Sequence, residues 1–333
     1  MTERQQAIEV SPVIDFDYRS GASVRRALQA LWRMADRNRL GAFGMALVMI
    51  VLAAALFGPL IKRYGDTQTF ETANPDYNPL ASPLDIVANP QKQYTSPVIL
   101  RRWEPPLTGE HWLGTDQFGR DIYARIIAGA RLAVIIGVGA SFISVAAGTV
   151  LGTISGYFGG LVDLILQRFV DAVFAFPGLV LLLLLVSVVD QPSLALTVAV
   201  LGFLGFASST RVVRSTVLSV SQMAYVEAAR SYGASDLRLM LRHVLPNIFA
   251  TVVVIFSISI GLYILAEAGL SFLGLGPADQ TTWGKMVNNG RHTLDLHPWE
   301  SVFAGLAITL AVLGFNLAGD ALRDELDPRL RGR

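Results

Sequence analysis

Three groups of residues in this sequence have types and spacings that could do chemistry. His111, Asp116 and Asp121 are nitrogen and oxygen donors spaced five and five in the stretch HWLGTDQFGRD. That spacing fits no single helix face and no second histidine stands near, so a metal or catalytic site is not expected. A structural turn is expected instead, with Asp116 and Asp121 capping, Arg120 pairing, and Gly114 and Gly119 at its tight positions. The second group lies in SVSQMAYVEAARSYGASDLRLMLRHVLPNI, residues 219–248. Its chemistry is that of a docking surface: Ala228 and Ala229 admit close approach of a partner, Glu227 and the arginines can pair across the contact, and Gly233 sets a bend. The third is Glu267, which follows 23 uncharged residues. An ionisable group at the edge of an apolar run is a functional candidate. An outer gate or a receptor contact are its two functional roles, and capping its own helix is the simpler one.

Enzymatic chemistry has little to work with. The chain has no cysteine, which removes disulfides, thiolate metal sites and cysteine nucleophiles, and its four histidines (His111, His243, His292 and His297) all lie outside the uncharged runs. No G-x-x-x-x-G-K-[ST] phosphate loop occurs, so the chain has no nucleotide-hydrolysing motif of its own. A net charge of +1 gives none of the basic excess that nucleic-acid binding needs.

The elements that must position these residues are set by the missing charge. Only 16% of the 333 residues are charged and 52% are hydrophobic, where a soluble domain carries about 25% charged residues. Uncharged runs occupy 40–61, 132–162, 172–189, 191–210, 244–266 and 301–319. Each is close to the ~20 residues of helix that cross a hydrocarbon core, and inside lipid each must be helical to satisfy its own amides. An all-α polytopic membrane protein with six transmembrane helices is expected. Two successive G-x-x-x-G frames, Gly148–Gly152 and Gly152–Gly156, mark the second run as one that packs closely on a neighbouring helix.

Positive residues favour the cytoplasmic side. Seven arginines precede the first run, five lie in 211–243 and four follow the last run. With both termini inside, and with Arg168 included, 17 basic residues face the cytosol and 10 face out. The expected organisation is a cytoplasmic segment 1–39, a first span 40–61, an extracytoplasmic loop 62–131, a five-helix core 132–320 and a cytoplasmic tail 321–333. Within the loop, DIYARIIAGAR reads as a short amphipathic helix lying in the interface, and Trp283 and Trp299 read as interfacial anchors further on. The leading polar segment does not read as a secretory signal. Arg168 and Asp171 are spaced to pair on one helix, and Phe174, Phe176 and Pro177 could bend the third span.

The 219–243 segment then faces the cytosol. Ser219 and Gln222 form a capping-box pattern that starts a helix through Tyr225, Glu227, Ala228, Ala229 and Arg230. Gly233 suits its C-terminal cap. Ser235 or Asp236 can cap a second helix, and Pro246 interrupts that one and opens the next span.

Here a resemblance becomes specific. E-A-A, three residues, G, then nine residues to x-x-L-P is similar to the signature of permease subunits of binding-protein-dependent ABC importers, matched by Glu227, Ala228, Ala229, Gly233, Leu245 and Pro246. The general pattern has Ile where this chain has His243, and the peptide-importer branch is similar to this chain there. HWLGTDQFGRD, EAGLSFLGLG with Trp283 and Gly284, and NLAGD through LDPRLR resemble the C-type permeases of the dipeptide, oligopeptide and nickel group. The loop 62–110 looks longer than usual for that group. The resemblance implies a type I importer permease fold in which 219–243 is the coupling helix, with Tyr225, Glu227, Ala228, Ala229, Arg230, Gly233, Ala234, Leu245 and Pro246 at the ATPase interface. It also implies a bacterial inner-membrane location and four kinds of partner. These are a distinct B-type permease, two ATP-binding subunits, an extracytoplasmic peptide-binding protein and the bilayer, with ATP held by the partners. Nickel remains open beside peptides as the cargo. Two other classes compete. An ion-gradient transporter should place an ionisable group at mid-membrane, and none stands clearly in any run. A membrane-embedded enzyme needs a catalytic constellation within the spans.

Overall fold

Hydrocarbon leaves an apolar helix no partner for its amides except itself, and the long uncharged runs have become long helices. The computed structural model describes residues 39–74, 76, 96, 98–107, 110–189 and 192–326. The leading segment up to residue 38, the 77–95 part of the long loop and the tail from 327 lie outside the described residues. In chain order the helices are α1 (Arg39–Ile61), α2 (Ile122–Phe158), α3 (Gly160–Phe174), α4 (Gly178–Ser187), α5 (Leu194–Ser221), α6 (Ala224–Ser231), α7 (Asp236–Leu239), α8 (Leu245–Phe272), α9 (Trp283–Gly290) and α10 (Trp299–Leu326). Among the described residues, five stretches are long and apolar enough to cross a membrane: α1, α2, α5, α10 and the continuous stretch Asp236–Phe272 that ends in α8. Large apolar side chains such as Leu40, Met49, Leu56 and Leu60 on α1 are exposed, as lipid-facing residues should be.

The third run departs from expectation. It is not one helix: α3 ends at Phe174 and α4 starts at Gly178, with Pro177 between them. Proline supplies no N–H and disfavours helical backbone at the residue before it. The ten residues of α4 make a helix of about 15 Å, half a hydrocarbon core. At the other end of the chain, α10 continues through Leu326, so the helix extends into what the sequence suggested was tail.

The interfacial helix is also corrected. Ile122–Arg131 is not a separate element but the start of α2, capped by Asp121, whose side chain accepts from the Ala124 N–H at 2.7 Å. Arg125 on its polar face turns inward, 2% exposed and hydrogen-bonded to the buried Asp116, while Arg131 stays exposed. Trp283 is likewise no anchor: it is buried, and its Nε1 donates to the Ile126 carbonyl at 2.9 Å. Trp299 is partly buried against the same core. Between α1 and α2 a two-stranded antiparallel sheet forms, β1 (Glu71–Ala73) with β2 (Val98–Leu100), pairing Thr72 with Ile99. It was not anticipated in the loop.

Close helix contact follows the small residues. A Cβ on Gly148 would lie 2.4 Å from the Ser209 Cβ, one on Gly152 2.7 Å from the Thr210 carbonyl oxygen, and one on Gly156 2.8 Å from the Arg214 carbonyl oxygen. Both G-x-x-x-G frames therefore seat α2 on α5. Gly44 and Gly314 do the same where α1 crosses α10. One core joins α1, α2, α8, α9 and α10 around Ile122, Ile264, Met286 and Phe315. Another joins α2, α4, α5 and α8 around Ile136, Val186, Leu201 and Leu270.

Contacts between distant segments sort to two ends. At one end Thr281 donates to Asp66 at 2.9 Å, the Ala278 N–H donates to the Pro192 carbonyl at 3.1 Å, and Trp103 stacks on His297. At the other end lie α6, α7 and the last turn of α2.

Candidate functional site

The docking segment forms two short helices joined by a tight turn. Its start differs from expectation: α5 runs on through Ser221, and the Ser219 hydroxyl donates back to the Ser215 carbonyl at 3.2 Å instead of capping a new helix. Extended Met223 occupies the N-cap of α6 without a side-chain hydrogen bond. Serine back-bonding inside a helix outcompeted the capping box because α5 supplied a carbonyl four residues back.

The end of α6 is built as expected. Gly233 sits at φ +81°. Its N–H donates to the Arg230 carbonyl at 2.9 Å and the Ala234 N–H donates to the Ala229 carbonyl at 3.2 Å. This pair of bonds is a Schellman cap, which places a left-handed residue where glycine carries no Cβ penalty. Asp236 then opens α7. Pro246 does not interrupt the path into α8. Residues Met240–Val244 widen to a π turn, the Leu245 N–H reaches the Met240 carbonyl, and the chain runs on into α8 with Pro246 in its first turn. A π turn leaves room for a ring that would otherwise strike the carbonyl four residues back.

The resulting element shows its chemistry outward. Val226 and Leu239 are fully buried and anchor it, while Met223, Tyr225, Leu237, Leu241 and above all Tyr232, 93% exposed, are open. Glu227, Ala228 and Arg230 are exposed beside them, and Ala229 and Ala234 are partly covered. Burial pushes the Tyr225 phenol up. Apolar and aromatic residues interleaved with charge on an exposed face mark a protein contact. Leu245 and Pro246 are not on this face but at the base of α8, next to the core formed by Val213, Val217, Val244 and Ile248.

Tyr157, at the end of α2, ties the element down, and no pattern along the chain marked it. Its hydroxyl donates to Asp236 Oδ1 at 2.8 Å and receives Arg230 Nη2 at 3.5 Å. The Arg230 guanidinium lies 5.7 Å from the Tyr157 ring centre, and the hydrogen bond with Tyr157 raises the Arg230 pKa further. A second link was equally unforeseen: Arg214 on α5 grips Asp163 on α3 through two bonds of 2.5 Å. Asp171 pairs with Arg168 at 3.7 Å but more closely, at 2.7 Å, with Arg211 on α5.

Glu267 is placed inside the protein. It is 3% exposed and accepts from Ser271 on the next turn of α8 at 2.5 Å. It faces no surface on which a receptor could sit. His111, Asp116 and Asp121 form the hydrogen-bonded turn: His111 Nδ1 lies 2.7 Å from Asp121, and Asp116 takes the Phe118 and Arg120 N–H groups and the Arg120 side chain at 2.7–2.9 Å.

A multi-span helical bundle with two short helices, α6 and α7, open at one end with mixed charge and aromatic surface has the form of a membrane subunit that docks a second protein. Residues 148–332 match the family described as the binding-protein-dependent transport system inner membrane component. Residues 27–83 match the N-terminal TM domain of oligopeptide transport permease C. The chain is 35% identical to a glutathione transport system permease protein of Escherichia coli over 332 residues, covering 99% of this chain and 98% of that one. It is equally identical to the protein of the same name from Shigella sonnei over the same span, and to that of Pectobacterium atrosepticum over 310 residues, 93% of each chain. The chain belongs to the binding-protein-dependent transport family, as an ABC importer permease of the oligopeptide permease C type. It is a multi-pass inner-membrane protein and not an enzyme, and ATP is bound by partner ATPase subunits.

Proposed function

We propose that this chain forms half of the translocation pathway of an ATP-driven importer of small peptides, paired with a B-type permease, two ATP-binding subunits and an extracytoplasmic peptide-binding protein. The observation that carries the reading is the Schellman-capped α6–α7 element, with Tyr225, Glu227, Ala228, Arg230 and Tyr232 open at one end of the bundle. In this reading α6 sits in a groove of the ATPase, and Ala228 and Ala229 let the two backbones approach. Both termini face the cytosol, α3 and α4 together make the sixth crossing, and residues 62–121 lie outside. The cytoplasmic placement of α6 matches the arginine bias of 211–243. ATP-driven closure of the partners moves α6–α7, the spans pass from inward-open to outward-open, and hydrolysis resets them. Glu267, buried next to Lys285 on α9, whose pKa burial lowers, is read as an outer-gate residue, with capping of its own helix as the simpler alternative. A peptide cargo is supported by the relatives named for glutathione, itself a short peptide.

The test is reconstitution of the whole complex in liposomes with labelled glutathione, a dipeptide and nickel as parallel cargoes. Uptake should require ATP and the binding protein, and a cysteine at Ala228 should cross-link to the ATPase, in a subunit with no cysteine of its own. Uptake driven by an ion gradient without ATPase would sink the reading, and nickel uptake without peptide uptake would reassign the cargo.

A further inference from the structure

We propose that Tyr157 is the positioning residue through which the α6–α7 element moves α2, so that its hydroxyl is needed to turn ATPase motion into transport but not to hold the ATPase. This rests on the coupling role proposed above. Among the described residues, the side-chain hydrogen bonds that leave 223–239 for another helix all end on the Tyr157 hydroxyl. That hydroxyl stands between the last turn of α6, through Arg230, and the first turn of α7, through Asp236. It therefore pins both arms of the Gly233 turn at once.

What it pins them to is the longest α-helix among the described residues. The 37 residues of α2 span about 55 Å at 1.5 Å per residue, more than a hydrocarbon core. Gly148, Gly152 and Gly156 lock α2 against α5 along the half nearest Tyr157. The far end is held by the Asp121 cap and by Arg125 on Asp116. A displacement delivered at Tyr157 thus enters a packed rod that reaches the opposite face. Close-packed helices pass on such displacements instead of absorbing them. Without the hydroxyl, Arg230 and Asp236 still carry opposite charge across the turn, so the element keeps a reason to stay folded while losing its grip on α2.

The experiment compares Tyr157→Phe with the unaltered complex, reconstituted with ATPases and binding protein. Phenylalanine keeps the ring. The expected result is complex recovery and ATPase rate near the unaltered level, with peptide taken up per ATP hydrolysed falling about tenfold. Unchanged uptake per ATP would overturn the proposal. If the variant fails to assemble, a second measurement decides. Cysteines at Tyr157 and Asp236 are bridged by a short flexible bis-maleimide. Bridging should restore uptake relative to the unbridged pair, and a bridge that leaves uptake low or abolishes it would overturn the clasp. ATP-dependent uptake by the unaltered complex, run alongside, tests the coupling role separately. Its absence would defeat that role, whereas failure of the Tyr157 arms with that control intact defeats the clasp alone.

Discussion

The two ends of the molecule hold their charges in opposite ways. At the end that carries the long loop, Arg125, Asp116, Asp121 and Glu300 are all buried, and Asp116 accepts from two arginines and two backbone N–H groups. At the other end Glu227, Arg230, Arg238 and Arg242 are exposed, and one tyrosine hydroxyl links α6 and α7 to the rod beneath them. The Asp116 carboxylate has its partners around it, as a buried charge requires, so the first end is held by its own residues. An exposed face with few internal ties is free to take its partners from elsewhere. The difference separates a closed end, which gives stability, from an open end, which gives contact.

Substitutions can break or sharpen that contrast. The largest effect is expected at the closed end, where Arg125→Ala removes the more buried of the two arginines on Asp116, leaving Arg120 and two backbone N–H groups, and costs about 1.5–3 kcal/mol, measured as loss of folded protein on heating in detergent. A change no larger than that of a surface arginine would erase the comparison. Gly233→Val forces a β-branched residue into a left-handed turn, at roughly 1–2 kcal/mol of local strain. Because the strain falls on the open end, cross-linking of α6 to the ATPase should weaken while the melting of the bundle hardly moves. Arg230→Glu should change stability by only about 0.5 kcal/mol, yet lower uptake, since it reverses the charge facing both Tyr157 and the proposed groove. The smallest effect concerns Asp66. Burial raises its carboxyl, but hydrogen bonds from Lys62 and Thr281 outweigh this and hold it below its ordinary value of 3.8. A depressed carboxyl stabilises the fold above its unfolded pKa and loses that contribution as pH falls through the folded one. The melting difference between the natural chain and Asp66→Asn should therefore be constant at neutral pH, begin to shrink near pH 4, and be gone only below the depressed folded pKa. A difference that grows on acidification would contradict the pairing.

Legibility followed distance along the chain. The turn at Gly233 was readable because a helix cap is made by residues within six positions of each other. The seating of α2 on α5 was half readable: the G-x-x-x-G frames announced a close neighbour, but not that Ser209 to Arg214 would be that neighbour. The capping box at Ser219 misled because the same hydroxyl could bond backwards into α5, a choice between two local partners. Arg125 and Trp283 misled for a different reason. An amphipathic pattern tells which residues share a face, and not whether that face meets headgroups or a second layer of protein.

By itself the sequence determined which stretches are apolar enough to be helices in lipid. Runs without charge must be helical to satisfy their amides, whereas that Pro177 breaks the third of them, where a bend was expected, came only from the structure. The sequence also determined the bent shape of the docking segment, which rests on a glycine cap. Only the tertiary structure decided that Tyr157 meets Asp236 across 79 positions, that Arg125 turns inward, and that Glu267 is sealed from the surface. Those outcomes depend on which helices lie side by side, and that is settled by packing between distant segments.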